Sequence, residues 1–224
     1  MTTTPAGMHL TVEGTGPPVV LTHGFADDSS TFDHLLPFLS GYRVARWDLP
    51  GHGSSVAGPH PSSRAGALAW LDAAVTAAGT GPAVLVGHSL GGYLSLCRTV
   101  IDATGVAGLV LVSTGPGFRD PAKRQSWSTF IARYADRHGI PKAARGIAEQ
   151  PDGVVLDGLA GVGLPVLVVV GGDDARYHAG CRIIVDEVPD CELVVVDGAG
   201  HFPHLTHADL VGSHVREFLG SISD

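Results

Sequence analysis

A serine stands between two glycines where an aliphatic stretch gives way to an amphipathic one, in the segment VLVGHSLGGYLS at 85–96. The first part predicts a buried strand and the second a helix. A serine at such a tight turn points its hydroxyl away from the sheet and requires very small neighbours two positions away, as Gly87 and Gly91 are. The helix amides would face an anion formed there. Ser89 is therefore a candidate nucleophile, the alternative being a chance turn in a chain with 31 glycines.

A serine hydroxyl is a weak nucleophile at neutral pH, so it needs a histidine base, and that base needs a carboxylate to fix its tautomer. His201 lies in the glycine-rich segment DGAGHFPHL, after an apolar run. The segment VVVGGDDARY places Asp173 and Asp174 at the end of another run, and spacing alone leaves both open. Carboxyl ends of parallel strands meet at one edge of a sheet. The sequence thus predicts a Ser-Asp-His triad in that chain order.

An oxyanion hole needs two backbone amides aimed at one point. The amide of Leu90, at the start of the predicted helix, supplies one of them. The early loop LTHGFADDSSTF turns tightly at Gly24, which leaves the amide of Phe25 free to supply the other. His23 is interpreted as a structural residue.

Short apolar runs recur along the chain and alternate with longer amphipathic or alanine-rich segments, which is typical of βαβ units. Several runs are apolar at successive positions, which fits parallel strands covered on both faces. The sequence predicts an α/β fold with a mostly parallel, doubly wound sheet. MHLTVEG at 8–14 alternates and predicts an antiparallel edge strand beside PVVLTH. The apolar runs are PVVLTH at 18–23, RVARWD at 43–48, AVLVGH at 83–88, VAGLVLVS at 106–113, PVLVVVGG at 165–172 and CELVVVDG at 191–198.

The alternation of strand-like and helix-like segments is interrupted at 114–160. This interruption predicts a short helical cap inserted into a single domain spanning 1–224. A helix over 121–138 would carry Trp127, Phe130, Ile131 and Tyr134 on one stripe. That stripe is either ordinary core or, if the cap covers Ser89, a wall of the substrate site.

Basic residues are concentrated in the same insertion. Residues 116–150 hold seven of the fourteen Lys and Arg residues against three acidic ones, on a chain with a net charge of −8. On a helical projection Lys123 lies on the aromatic stripe and Arg124 at its edge. We predict that one of them contacts a carboxylate or phosphate of an anionic substrate, the alternative being that they are solvated charges.

The bulk composition narrows the function class. The negative net charge of −8 argues against nucleic acid as a partner. The three cysteines lack disulfide or metal spacing, the start lacks a secretory pattern, and no apolar run reaches membrane length. A zinc site at His201, His204 and His207 is disfavoured by the Gly and Pro that break the segment. We expect a cytoplasmic protein without a metal; the oligomeric state stays open.

Taken together, HGF at 23–25, RWDLPGHGSS at 46–55, GHSLGG at 87–92, the strand followed by Gly-X-X-Asp at 165–174, and GAGHFPH at 198–204 resemble the α/β-hydrolase superfamily. The resemblance implies a cap after the strand ending near Ser113, Asp174 as the triad carboxylate, hydrolytic or related acyl chemistry, and no cofactor. STGPGFRDPAKR and GGDDARYHAG are similar to the branch with the menaquinone-pathway succinyl-hydroxycyclohexadiene-carboxylate synthase and the meta-cleavage-product hydrolases.

These observations predict a serine hydrolase that cleaves a small carboxylic ester or thioester through an acyl-enzyme. Two alternatives use the same fold. One is cleavage of a C–C bond, or elimination, on a carboxylated ring compound by the same triad. The other is a ligand receptor without catalysis.

Overall fold

The computed structural model describes residues 4–56 and 62–223 and contains one seven-stranded sheet. The sheet order is β1-β3-β2-β4-β5-β6-β7, and every neighbouring pair is parallel except β1 with β3. The predicted mostly parallel α/β architecture is therefore confirmed. The strands are β1 (Leu10–Glu13), β2 (Pro18–Thr22), β3 (Arg43–Trp47), β4 (Ala83–His88), β5 (Val106–Val112), β6 (Val166–Gly171) and β7 (Cys191–Val196).

Helices cover both faces of the sheet. The α-helices are α1 (Arg64–Ala78), α2 (Leu90–Ile101), α3 (Pro121–Arg137), α4 (Val154–Gly158), α5 (Ala175–Glu187), α6 (Pro203–Thr206) and α7 (Ala208–Ser223), and 3-10 helices span Ser29–Leu39, Lys142–Ala148 and Leu159–Gly161. One core lies under α1, α2 and α5, and the other lies under α7 and Ser29–Leu39. The central strands β2, β4 and β6 are buried at every position because both their faces are covered. Within the described residues, none of the helices has the length and apolar character to cross a bilayer.

The edge strand β1 corrects one prediction. It is antiparallel and at the edge, as expected, but it pairs with β3 and not with β2. The turn after β1 crosses the start of β3, because Gly14 and Gly16 lie so close that a Cβ would stand 2.3 Å from the carbonyl oxygen of Tyr42 and 2.0 Å from that of Gly41. The fully buried β2 needs a strand on each side, whereas the half-exposed β1 suits an edge.

The segment 114–160, here called the cap, joins β5 to β6. It contains α3, the 3-10 helix Lys142–Ala148, α4 and the first two residues of the 3-10 helix Leu159–Gly161. α3 begins where Pro121 follows Asp120, whose carboxylate accepts from the amide of Ala122. Arg64 of α1 donates two hydrogen bonds to the Asp152 carboxylate, at 2.8 and 2.7 Å. This ion pair fastens the cap to the body of the protein.

Candidate active site

Ser89 occupies the sharp turn between β4 and α2. Its backbone adopts φ 51° and ψ −112°, a conformation that non-glycine residues rarely take. Two hydrogen bonds hold it there, since the amide of Ser89 donates to the carbonyl of Val112 at 2.8 Å and the hydroxyl of Thr114 donates to the carbonyl of Ser89 at 2.6 Å. The strained turn is therefore imposed by β5 and the residues after it.

The glycines around Ser89 are required by close backbone approaches. A Cβ on Gly87 would lie 2.4 Å from the amide nitrogen of Gly92, and one on Gly91 would lie 2.0 Å from the carbonyl oxygen of Thr22. Both neighbouring atoms belong to backbone, so they cannot rotate away. The small residues predicted from the sequence are those that let α2 approach β2.

The variant Gly91→Ala is therefore expected to lower the free energy of unfolding by about 3 kcal/mol, because an added methyl group forces the backbone apart. Gly66→Ala is a matched control in α1, where the new Cβ would meet only the Ser63 hydroxyl, at 3.6 Å. We expect that control to be neutral or up to about 1 kcal/mol more stable. Urea unfolding measures both, and equal stability of the two variants would contradict the packing argument.

The three predicted triad side chains meet at the carboxyl edge of the sheet. His201 Nε2 lies 3.1 Å from Ser89 Oγ, and His201 Nδ1 lies 2.8 Å from Asp174 Oδ2. Asp174 is buried at the start of α5, whereas the side chain of Asp173 is exposed and its amide donates to the carbonyl of Ala199. Of the two aspartates left open by spacing, the structure brings Asp174 to His201.

The amides proposed for the oxyanion hole belong to residues that face the same space. Phe25 and Leu90 both line a cavity that also contains Ser89 and His201. Leu90 is the first residue of α2, where a backbone amide lacks an acceptor within its own helix. Gly24 passes so close to the β4 end that a Cβ would lie 2.9 Å from His88 Nδ1 and 3.3 Å from Ser89 Cβ. That approach brings the Phe25 loop over Ser89.

Buried histidines support this loop cluster. His88 Nε2 donates to the carbonyl of His201 at 2.9 Å, and burial with neighbouring histidines lowers the pKa of His88. Burial lowers the pKa of His204 to about 3 and that of His23 to about 4. These three imidazoles are therefore neutral at pH 7. His23 accepts from the amide of Leu49 at 2.9 Å, in keeping with its predicted structural role.

The three histidines of the HxxHxxH pattern have different partners. His201 contacts Ser89 and Asp174, His204 Nε2 lies 3.0 Å from the Thr31 hydroxyl, and His207 Nδ1 lies 2.9 Å from the Thr206 hydroxyl. In the part of the chain that the structure describes, no three or more His, Cys, Asp or Glu side chains are grouped as metal ligands would be.

Two cavities meet at Ser89. The large cavity, of about 570 Å³, lies between α2, α5 and the cap, and its lining includes Ser89, Tyr93, Gly117, Gln150 and Gly180. The small cavity, of about 370 Å³, contains Phe25, Asp174 and His201. Ser89, Leu90, Trp127, Arg176 and Tyr177 border both. Their sizes are those of small-molecule sites.

The predicted cap residues divide between these cavities. Lys123 borders the large cavity, Phe130 and Tyr134 border the small one, and Trp127 borders both. Within the aromatic stripe, Trp127, Phe130 and Ile131 also pack with the core under α1, α2 and α5, so these three serve as core and as wall. The guanidinium of Arg124 instead donates to the backbone carbonyls of Phe118 and Arg119. Of the two basic candidates, the structure places Lys123 at the cavity.

Three residues at the site were not predicted. The ring of Tyr177 stacks on His201 with centroids 4.5 Å apart, its hydroxyl lies 3.5 Å from Ser89 Oγ, and burial raises its pKa. The guanidinium of Arg176 lies 4.4 Å from the centroid of the Phe130 ring, joining α5 to the cap. Gln150 lines the large cavity. Arg176 and Tyr177 could have been considered because they lie two and three residues after Asp174, close to a strand end.

Comparison with known proteins identifies the family. Residues 19–212 match the alpha/beta hydrolase family. The chain is 37% identical to a pimeloyl-(acyl-carrier protein) methyl ester esterase of Xylella fastidiosa (strain M23) and 29% identical to one of Xanthomonas campestris pv. campestris (strain B100), each match covering 96% of this chain and 100% of the relative. The solved structure of MenH from S. aureus superposes with a TM-score of 0.83 at 20% identity, covering 96% of this chain and 99% of that one. The chain belongs to the alpha/beta hydrolase family and is a hydrolase of the esterase type.

Proposed function

We propose that this hydrolase cleaves a small carboxylic ester or thioester through an acyl-enzyme on Ser89. His201 Nε2 takes the hydroxyl proton while Ser89 Oγ bonds to the carbonyl carbon, and the amides of Phe25 and Leu90 stabilise the oxyanion. The bond to the alcohol or thiol then breaks, and His201 protonates the leaving group. Water releases the acid by the reverse roles, with Asp174 orienting His201. The Ser89–His201–Asp174 hydrogen-bond chain, at 3.1 and 2.8 Å, carries the proposal.

The two cavities suggest where each half of the substrate binds. The leaving group must lie beside His201 to receive its proton, and His201 borders the small cavity. The acyl group would then extend from Ser89 into the large cavity. In this assignment the acyl group occupies the cavity of about 570 Å³ and the leaving group occupies the cavity of about 370 Å³.

The relatives guide the choice of chemistry. Their name states that they act on a methyl ester of a pimeloyl group carried by acyl-carrier protein. A methyl leaving group is small, as the small cavity here would favour. We therefore place esters of small alcohols first among the substrates.

Burst kinetics with p-nitrophenyl acetate test the proposed function. An acyl-enzyme that forms faster than it hydrolyses releases about one p-nitrophenol per active site before the steady state. A burst followed by turnover supports the esterase. Binding of the ester without p-nitrophenol release would contradict it and favour the receptor alternative.

Lys123 is expected to attract substrates with a negatively charged acyl group. It makes no ion pair with any residue in 4–56 or 62–223 and borders the large cavity. Because the ammonium group is exposed, its effect is modest: Lys123→Ala should raise KM for a carboxylate-bearing ester about threefold relative to its neutral isostere. Arg124→Ala is the control, since its guanidinium is bound to backbone carbonyls. Steady-state kinetics at low and high salt measure the effect, and equal KM ratios in all three proteins would show that Lys123 does not bind the anion.

A further inference from the structure

Gln150 is a buried residue whose side-chain amide has no hydrogen-bond partner among the residues that the structure describes. Its side chain is only 8% exposed and lines the large cavity, and its Oε1 is fully enclosed without a hydrogen-bond partner. The structure shows no hydrogen bond to either amide atom from the residues it describes, 4–56 and 62–223. Leaving a buried polar group unpaired costs about 1–3 kcal/mol, so an unpaired amide in a cavity wall requires a partner that enters the cavity, either water or a ligand.

The described neighbours of Gln150 leave its side-chain amide without a hydrogen bond. The Gln150 Oε1 atom packs on Gly117, where a Cβ would lie 2.9 Å from that oxygen and 3.3 Å from Tyr93 Cε2. The Tyr93 hydroxyl accepts from Arg64 Nη1 at 3.2 Å and makes no hydrogen bond with Gln150. With the amide oxygen enclosed in this way, the amide NH₂ is the group left to meet whatever enters the large cavity.

The backbone around Gln150 is fixed from both sides. Two residues earlier, the carbonyl of Ala148 accepts from Trp127 Nε1 at 2.9 Å. Two residues later, the Asp152 carboxylate accepts two hydrogen bonds from Arg64. These contacts limit backbone movement at Gln150, so binding a ligand there costs little backbone conformational entropy.

We infer that Gln150 determines specificity by donating a hydrogen bond from Nε2 to an oxygen acceptor on the acyl group of the substrate. The inference rests on the proposed function, which places the acyl group in the large cavity. Tyr93, which lies beside Gly117 as Gln150 does, is one helical turn beyond Ser89, or about 5.4 Å along α2. The acceptor is therefore a short chain away from the ester carbonyl. Three basic residues, Arg119, Lys123 and Arg176, border the same cavity against two acidic ones, Asp120 and Glu187. This excess of positive charge favours an oxygen acceptor over a cationic donor.

Matched pairs of p-nitrophenyl esters test the inference. In each pair a ketone oxygen replaces a branching methyl group: 4-oxopentanoate against 4-methylpentanoate, and 5-oxohexanoate against 5-methylhexanoate. The ratio of kcat/KM within a pair, corrected for the rates of alkaline hydrolysis, reports the hydrogen bond. We expect the wild-type protein to favour the keto ester of at least one pair about tenfold.

Gln150→Met, which keeps the shape and removes the donor, should reduce that preference to within about twofold of unity. Gln150→Glu keeps the polarity but faces the ketone with a carboxylate, so it should lower the ratio further. Gln125→Met makes the same change on the exposed side of α3 and should keep the wild-type ratio. Hydrolysis of p-nitrophenyl acetate, too short to reach Gln150, reports whether each variant is folded and active.

Two outcomes overturn the inference separately from the proposed function. Either a wild-type ratio near unity in both pairs, or a preference retained in both Gln150 variants, shows that Gln150 does not bind the acyl group while the esterase stands. A wild-type protein that hydrolyses none of these esters overturns the proposed function and the inference with it.

Discussion

Ser89→Ala is expected to lower kcat for p-nitrophenyl acetate by about 10⁵- to 10⁶-fold, the size of effect seen when the nucleophile of a serine triad is removed. The Ser89 hydroxyl is the atom that His201 Nε2 meets at 3.1 Å, and alanine leaves no atom to form the acyl-enzyme. A small residual rate from the oxyanion hole should persist. Stopped-flow and steady-state assays measure the loss.

Ser95→Ala is the matched control for that variant. Ser95 is buried in the same helix, and among residues 4–56 and 62–223 its hydroxyl bonds only to the carbonyl of Gly91, at 2.9 Å. Its kcat should stay within about threefold of wild type, because the change removes one helix-side hydrogen bond. Comparable losses in the two variants would mean that damage to α2, and not loss of a nucleophile, explains the result.

Asp174→Asn is expected to lower kcat about 10⁴-fold with little change in KM. The Asp174 carboxylate accepts the Nδ1 proton of His201 at 2.8 Å, which leaves Nε2 free to receive the proton of Ser89. An asparagine can donate to Nδ1 and select the other tautomer, which cannot act as the base. The kcat values of purified Asp174→Asn and wild type measure this effect.

Asp173→Asn provides the comparison, since that side chain is exposed beside the triad. Its kcat should remain within about threefold of wild type, as for an ordinary surface substitution. If Asp173→Asn proves the more damaged variant, the carboxylate that orients His201 in solution is Asp173.

The proximity of Ser89, Asp174 and His201 could be predicted because each residue follows a strand. The carboxyl ends of parallel strands lie at the same edge of the sheet. Ser89 carries its own signal in Gly87 and Gly91, which the backbone contacts of α2 require. The choice between Asp173 and Asp174 depended on a family spacing, because a one-residue register in a turn is not visible in hydrophobic periodicity.

Other features depend on contacts between distant parts of the chain. The predicted partner strand of β1 was wrong. The actual pairing depends on how the turn at Gly14 crosses β3, and alternating hydrophobicity contains no information about that crossing. Gln150 lies in an irregular segment and is positioned by hydrogen bonds across 21 and 88 residues of chain. A lone glutamine in a loop gives no local signal for such a role.

The most direct test of Ser89 as the nucleophile is to locate a fluorophosphonate adduct by mass spectrometry. A fluorophosphonate reacts with a serine activated by a base, so the wild-type protein should gain one adduct per chain on the peptide that contains Ser89. The same reaction with Ser89→Ala should give no adduct. Labelling that persists in Ser89→Ala, or that maps to another residue of the wild-type protein, would contradict the assignment of Ser89 as the nucleophile.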